Sequence, residues 1–345
     1  MPASGTISVP KDERILKILD LYKAEPDGNC SREELIKSKR LRQLSAHSIN
    51  EYINCPFRFY LHYIEGLAEI EEKSDFMEAS TFGTIIHNIM QELYPKSQQQ
   101  IDKDYINHLL DPGNQTIAKT IVRVINQEFL HKYDNCDEPL IGEGQMKSEI
   151  IDIMIRNILK FDLKYIEKNG NINYIQSEQE IACRLKFGNH TFNFTYIIDR
   201  LEATCDNSML RIIDYKTGKD NPRFKTIDAL FDPKCSDRRK AALQLLLYCY
   251  AYEQRDNRPV QPLIYKVTNI NDSGLILSKS QITYPRFSST DSKDNVTNYE
   301  VRKDFVERME EVINGIFDPD KPFTQTQNKK KNCEYCKFKE FCRVE

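Results

Sequence analysis

Apolar residues recur at helical spacing through the first half of the chain and then give way to runs of β-branched and aromatic residues, so a helical portion precedes a strand-rich one. Ile15, Ile18, Leu19 and Tyr22 mark one face of a helix between Lys11 and Ala24, and Ser31 to Glu34 forms a capping box ahead of Leu35-Ile36. A helix starting near Ser45, with Ile49, Tyr52 and Ile53 on one face, should end at Pro56, and a second helix follows over residues 57–64. Phe82, Ile85, Ile86, Ile89, Met90 and Leu93 give the apolar face of a helix from Ser80 to Tyr94. Residues 101–110, 116–131 and 143–167 continue the helical pattern, broken at Asp111-Pro112-Gly113 and again before Pro139.

Strand patterns then take over. Residues 174–187, 190–203 and 209–217 are three runs joined by the short polar turns Gly188-Asn189 and Cys205 to Ser208, which predicts two consecutive hairpins. A strong helix follows over 237–254, further strands over 263–267 and 275–277, and a helix over 301–317 that Pro319 closes. The second turn folds the third run back on the second, which can bring Asp199 beside Asp214.

Composition changes this picture little. A chain of 345 residues with 40% hydrophobic and 29% charged residues is large enough for one or two domains with a substantial core. A formal net charge of -3 does not suit a general nucleic-acid binder, so a polyanion site would have to be a local patch. Candidate patches are Lys37, Lys39, Arg40 and Arg42; Arg238, Arg239 and Lys240; and Lys329 to Lys331, each of which could equally be a solvated face. No apolar run approaches a membrane span and the first residues lack signal-peptide character, so a cytoplasmic protein is expected. In that reducing setting the ten cysteines are expected to be thiols or metal ligands rather than disulfides.

Candidate chemistry starts at Ile212-Ile213-Asp214-Tyr215-Lys216-Thr217-Gly218. Alternation along a strand puts Asp214 and Lys216 on one face and Ile213 and Tyr215 on the other. An Asp and a Lys so placed are either a structural ion pair or a metal-binding acid with a lysine beside it, and the tripeptide alone leaves both open. Asp199 is an acid among the apolar residues Ile197 and Leu201, Gly83 and His87 lie one helical turn apart, and so do Gln244 and Tyr248. A glycine inside a helix costs about 0.8–1 kcal/mol relative to alanine, which invites a reason such as close backbone approach at Gly83. At the C-terminus Cys333, Cys336 and Cys342 have the C-x2-C-x5-C spacing of metal ligands and leave one ligand to be found.

Taken in order, G-x3-H (Gly83, His87), Asp199-Arg200, D-x-K (Asp214, Lys216) and Q-x3-Y (Gln244, Tyr248) resemble the RecB-type branch of the PD-(D/E)XK nucleases. With Cys55 and the late cysteines the chain resembles that branch's iron-sulfur subgroup, as in the nuclease domain of AddB-type helicase-nucleases, over roughly Ser45 to Cys342. One departure is Thr195-Tyr196, where the family often has a glycine shortly before the first Asp.

The resemblance implies an α/β fold of restriction-endonuclease type: a mixed central sheet flanked by helices, a large helical N-terminal part and a C-terminal cysteine segment. Residues 1–44 would be a helical lead-in or linker and 45–345 the nuclease domain, with a helical part over 45–170, the catalytic sheet and helix over 171–280, and the last helix and iron-sulfur segment over 300–345. It implies a Mg²⁺-dependent (or Mn²⁺-dependent) DNA exonuclease for single strands, serving double-strand-break processing and recombination with a helicase partner subunit or fused helicase region. Free-standing nucleases of CRISPR adaptation and a catalytically silent DNA-binding scaffold are the alternatives.

Asp199, Asp214 and the Tyr215 carbonyl would hold the metal with His87, and Lys216 would orient or deprotonate the attacking water. Gln244, Tyr248, Arg200, Arg238 and Arg239 would meet the DNA. Cys55, Cys333, Cys336 and Cys342 would bind a [4Fe-4S] cluster, or a zinc ion, for which the spacing serves equally well. Either would clasp the two ends of the domain across a very long loop.

Overall fold

The computed structural model describes residues 6–24, 42–67, 76–95, 98–134, 136–218, 223–224, 226–235, 238–275, 277–278, 295–334 and 336–342. The capping box at Ser31, most of the first basic patch, Asp237 and the residues following Ser278 up to Asn295 lie outside them.

The element on which the rest is hung is a strand, β7 (Leu210–Lys216), in the middle of a six-stranded sheet ordered β10-β9-β7-β6-β3-β2. The other strands of this sheet are β2 (Gln99–Ile101), β3 (Ile172–Gln176), β6 (Arg200–Ala203), β9 (Val260–Lys266) and β10 (Gly274–Leu275), while the short β1 (Ser8–Val9) and β8 (Arg223–Phe224) pair outside it. β7 and β9 run parallel, with Lys216 opposite Lys266, and every other neighbouring pair is antiparallel. Alternation along β7 divides the core in two. Leu210 and Ile212 join Leu201, Val260 and Ile264 in one apolar cluster, while Ile213 and Tyr215 join Ile172, Leu263 and Tyr265 in a second cluster on the opposite face.

Helices cover both faces. The second cluster is closed by α4 (Ala79–Leu93), α5 (Lys103–Leu110), α6 (Thr116–Glu128) and α7 (Gly142–Asn169), whose Ile85, Ile89, Ile121, Ile155 and Ile158 are all buried in it. The first is closed by α1 (Glu13–Asp20), α2 (Ala46–Asn54), the short α8 (Ile227–Phe231), α9 (Lys240–Glu253) and α10 (Asn295–Phe317), together with a hairpin of β4 (Gln179–Phe187) and β5 (His190–Ile198). This is a mixed central sheet flanked by helices, with a large helical N-terminal region. No helix among the described residues is long and apolar enough to cross a membrane.

Local signals explain the helix starts. Asp12 caps α1 by accepting from the Ile15 backbone N–H, and Ser45 with Ser48 forms a reciprocal capping box on α2. Pro56 opens α3 (Pro56–Phe59), which continues as a π turn through Ile64. The lead-in is stitched to the body: Ile15, Leu19 and Tyr22 are core residues, and Lys11 Nζ donates to the carbonyls of Gly315 and Asp318 at 2.8 and 2.7 Å.

Two expectations change. Ile101 belongs to the edge strand β2 rather than to the helix that starts at Lys103. The three long strand runs are each real in outline, but the first two are cut. The first breaks between Gln176 and Gln179 and the second at Asp199, so that β4–β5 leaves as its own hairpin while β3, β6 and β7 build the main sheet. The reason is burial on two different surfaces: β5 buries Phe192, Phe194 and Tyr196 against the helices of the first cluster, whereas β6 must lie flat against β7. Both cuts fall at acidic residues that form the site.

Candidate active site

At the carboxyl end of β7 the chain gathers side chains from four places. His87 comes from α4, Glu178 from the break between β3 and β4, Asp199 from the break between β5 and β6, and Asp214, Tyr215 and Lys216 from β7 itself. His87 Nδ1 lies 3.0 Å from Glu178 Oε1 and 3.5 Å from Asp199 Oδ2, and His87 Nε2 lies 3.0 Å from the Tyr215 carbonyl oxygen. The Tyr215 backbone N–H donates to Asp199 Oδ2 at 2.8 Å. One potential ligand atom each from His87, Glu178 and Asp199 lies within 4.8 Å of the other two.

Glu178 is the residue that sequence reading missed. It stands at a strand break with φ of 47°, a left-handed backbone that few non-glycine residues adopt, while its N–H donates to the Ile198 carbonyl at 2.8 Å. Strain of this kind persists where the surroundings hold it, and here it aims a carboxylate at His87. The signal available beforehand was weak: an acid beside Ser177 inside a run otherwise read as one continuous strand.

Asp214 sits next to this group but is held by others. Lys216 Nζ donates to its Oδ1 at 2.9 Å and lies 2.7 Å from its Oδ2, and Gln244 Nε2 donates to Oδ1 at 3.3 Å. Gln244 also donates to the Tyr248 hydroxyl at 3.1 Å, so α9 supplies a short polar line along the same face.

The electrostatics are those of a crowded anionic site. Burial pushes the Asp214 carboxyl up to about 6 against the pull of Lys216, with Asp199 adding to the rise. Asp199 is raised as well, by burial first, with His87 and Lys216 opposing. For His87 burial is again the largest single influence and lowers its pKa, but the carboxylates of Asp199, Glu178 and Asp214 together outweigh it and bring the ring up to about 9. A doubly protonated imidazole offers an N–H to Glu178 and another to the Tyr215 carbonyl. The positive charge thus stands among the oxygens where a cation would.

Two of the three arginines expected at the DNA, Arg200 and Arg238, are buried elsewhere. Arg200 is 1% exposed and packs on the opposite side of the sheet, because strand alternation turns it away from Asp199. There its guanidinium donates to both carboxylate oxygens of Asp162 (2.8 and 3.0 Å) and to the Tyr215 hydroxyl (3.1 Å), with Glu202 2.7 Å from its Nε. Arg238 is also buried, donating to the Leu230 carbonyl at 2.7 Å and to Asn54 at 2.9 Å and Asn50 at 2.5 Å on α2. Burial lowers its pKa to about 10, and its role is to tie the start of α9 to α2. Arg239 is half-buried at the N-cap of α9.

Cys55, Cys333, Cys336 and Cys342 do not form a group of the close kind seen around His87 among the described residues. They do share a neighbourhood. Cys55 packs with Phe57, Leu61 and Phe338, with Cys336 and Cys342 against them, and the Thr326 N–H points at Cys55 Sγ at 3.3 Å. Burial raises the thiol pKa of Cys55 and Cys333, and brings Cys342 up to about 11 with help from the other three sulfurs. Protonated thiols have nothing to draw them together, and four thiolates would repel one another without a cation.

Comparison with known proteins places these features. A model of the PD-(D/E)XK nuclease superfamily matches residues 43–343. An uncharacterized protein of Rickettsia conorii is 28% identical over 229 residues, 62% of this chain and 25% of that protein. An ATP-dependent helicase/deoxyribonuclease subunit of Carboxydothermus hydrogenoformans is 26% identical over 63% of this chain and 20% of its own length, and its counterpart in Clostridium tetani is 22% identical over 72% and 22%. The chain therefore spans a quarter or less of the length of these relatives. A putative exonuclease of Eubacterium rectale covers 93% of this chain and 94% of its own at 12% identity and a TM-score of 0.38, a likeness too loose to carry an argument.

Proposed function

The chain belongs to the PD-(D/E)XK nuclease superfamily, and from that premise we propose that it is a metal-dependent exonuclease hydrolysing phosphodiester bonds of single-stranded DNA, as the nuclease part of a larger AddB-like helicase-nuclease. The observation that carries the reading is the meeting of His87, Glu178 and Asp199 with the Asp214–Lys216 pair at one end of β7.

The donor set fits a hard divalent cation. Carboxylate oxygens, a carbonyl oxygen and one imidazole suit Mg²⁺ or Mn²⁺, and no thiol is among them. Asp199, Glu178, His87 and the Tyr215 carbonyl would hold the ion, with Asp214 at its side. Once bound, it would polarise a phosphoryl oxygen and make a neighbouring water acidic enough to attack near neutral pH.

The chain's own residues do the positioning. The Tyr215 N–H fixes one oxygen of Asp199, while Lys216 and Gln244 fix Oδ1 of Asp214. The Lys216 ammonium, partly exposed beside Asp214, offers its remaining protons to the negative charge that develops on phosphate. Tyr248, from the next turn of α9, closes the polar line at which a strand would rest.

The measurement is Mg²⁺-dependent digestion of end-labelled single- and double-stranded DNA by wild type, Asp214→Ala and Lys216→Ala. Each variant is expected to lose roughly 10²-fold or more in rate. Equal activity in all three would remove the site assignment, and an inert wild type would leave a DNA-binding scaffold.

The same reading includes a [4Fe-4S] cluster on Cys55, Cys333, Cys336 and Cys342. Supporting it are the shared apolar pocket, the N–H of Thr326 aimed at the Cys55 sulfur, and the influence of the sulfurs on one another. A zinc ion, with Zn–S distances of about 2.3 Å, is the alternative and would hold the four sulfurs roughly 3.8 Å apart. A four-iron cluster holds its thiolates farther apart. Its place would be structural, joining α3 to the C-terminal segment. The names of the helicase/deoxyribonuclease relatives support a helicase partner or fused helicase region; the chain itself has no G-x4-G-K-[ST] sequence.

A further inference from the structure

Behind the site, on the face of the sheet turned away from Asp214 and Lys216, the core contains ions. Asp162 of α7 and Arg200 of β6 are both buried there and joined by two hydrogen bonds of 2.8 and 3.0 Å. Taking an ion pair out of water costs about what the pair returns, and apolar side chains of similar size often serve stability as well or better. Stability alone therefore gives no reason for a charged pair in this apolar cluster. What the pair joins does.

Three segments that deliver residues to the site meet at it. Tyr94, the C-cap of α4, donates its hydroxyl to Asp162 Oδ2, and α4 carries His87. Arg200 follows Asp199 directly in the chain. Arg200 Nη1 also donates to the Tyr215 hydroxyl at 3.1 Å, while the backbone of Tyr215 supplies the N–H that Asp199 accepts and the carbonyl that faces His87 Nε2. Tyr265, opposite Tyr215 on the parallel strand β9, completes the set by donating to Asp162 Oδ1 at 2.9 Å. The Arg200 guanidinium lies 4.7 Å from the centre of the Tyr94 ring and 5.4 Å from that of Tyr265, so its planar fork is fixed in orientation as well as in place. A shift of Tyr215 would move its N–H and its carbonyl together, and with them the partners of Asp199 and His87.

We propose that Asp162 and Arg200 are positioning residues for the metal site: from behind the sheet they hold α4, the start of β6 and Tyr215 so that His87, Asp199 and the Tyr215 carbonyl stand at the spacing a divalent cation requires. Groups one layer behind metal ligands act in this way on affinity. The proposal rests on the metal-dependent reading of the site, but metal affinity can be measured without cleavage.

The test is isothermal titration of Mn²⁺, with melting temperature and single-stranded DNA kinetics, on wild type, Tyr215→Phe, Arg200→Met/Asp162→Leu and a control Ile155→Val. Tyr215→Phe removes only the hydroxyl and leaves Arg200 its bonds to Asp162. The double variant removes both charges at once, and Glu202 keeps Arg211 as its partner. Ile155→Val loosens the same apolar cluster without touching the pair. Mn²⁺ affinity is expected to fall about 10-fold or more in the two network variants. Their kcat should fall with KM for the strand unchanged, and the control should keep wild-type affinity and kcat at a reduced melting temperature. Wild-type affinity in both network variants would overturn the proposal, and so would an equal loss in the control. Should the double variant fail to fold, Tyr215→Phe decides alone. Affinity that falls in the network variants of a protein that cuts no DNA would support the positioning role and remove the nuclease reading.

Discussion

At the scale of single residues, Glu178 and His87 decide how the site meets its metal. Glu178→Gln keeps the shape but replaces a carboxylate that would hold the ion with a neutral amide, and is expected to weaken Mn²⁺ binding about 10- to 100-fold. Isothermal titration checks this, and an unchanged affinity would return Glu178 to a loop-shaping role.

Protons compete with the metal for the same atoms. Asp214 titrates at about 6 and His87 at about 9, so affinity should climb as pH rises through 6 and continue to climb toward 9. Stability of the metal-free chain has the opposite slope. His87, raised from 6.5, contributes fully below about 6.5 and loses that contribution as pH passes 9; Asp214, raised from 3.8, favours the fold while protonated and ceases to do so between 3.8 and about 6. Melting temperature without metal is therefore expected to fall as pH rises across those windows, and a rise would contradict the assignment.

At the scale of elements, the arginines and glycines change roles. Arg238 holds α9 to α2 through Asn50 and Asn54, so Arg238→Ala should cost about 1–3 kcal/mol in a denaturant melt and leave the salt dependence of DNA binding untouched. Arg200 and Asp162 are 1% and 0% exposed, and Asp162→Ala would leave a buried guanidinium short of a partner, at an expected cost of about 3–5 kcal/mol. The glycine that packing demands is not Gly83. A methyl there would meet only Thr217 Oγ1 at 3.6 Å, an ordinary contact. At Gly315 of α10 it would meet the Tyr52 hydroxyl at 2.5 Å, and Tyr52 is wedged against Phe59 and Phe323. Gly315→Ala should lower the melting temperature and Gly83→Ala should not.

At the scale of the whole molecule, the α2–α3 region and the C-terminal segment meet through Cys55, Phe57 and Phe338. Protein purified without oxygen is expected to carry about four irons per chain and to lose them in Cys333→Ser, with a lower melting temperature; stoichiometric zinc and no iron would sink the cluster. The match to the helicase/deoxyribonuclease relatives spans less than a quarter of their length.

Much of this was legible in order along the sequence. The helix faces, the helix start near Ser45, the alternation that sets Asp214 and Lys216 apart from Tyr215, and the succession of His, Asp, Asp-x-Lys and Gln-x3-Tyr are local patterns, and local spacing dictates them. Other features depend on which surface each segment buries. Cutting two long strand runs at Glu178 and Asp199 and turning Glu178 toward His87 follow from how β4–β5 leaves the main sheet, while the pairing of Arg200 with Asp162 and of Arg238 with two asparagines follows from the helices that pack against them. A strand's two faces are written in its sequence, but what each face meets is settled only when distant segments pack, and that packing made a metal-sized group out of residues as far apart as His87 and Asp199.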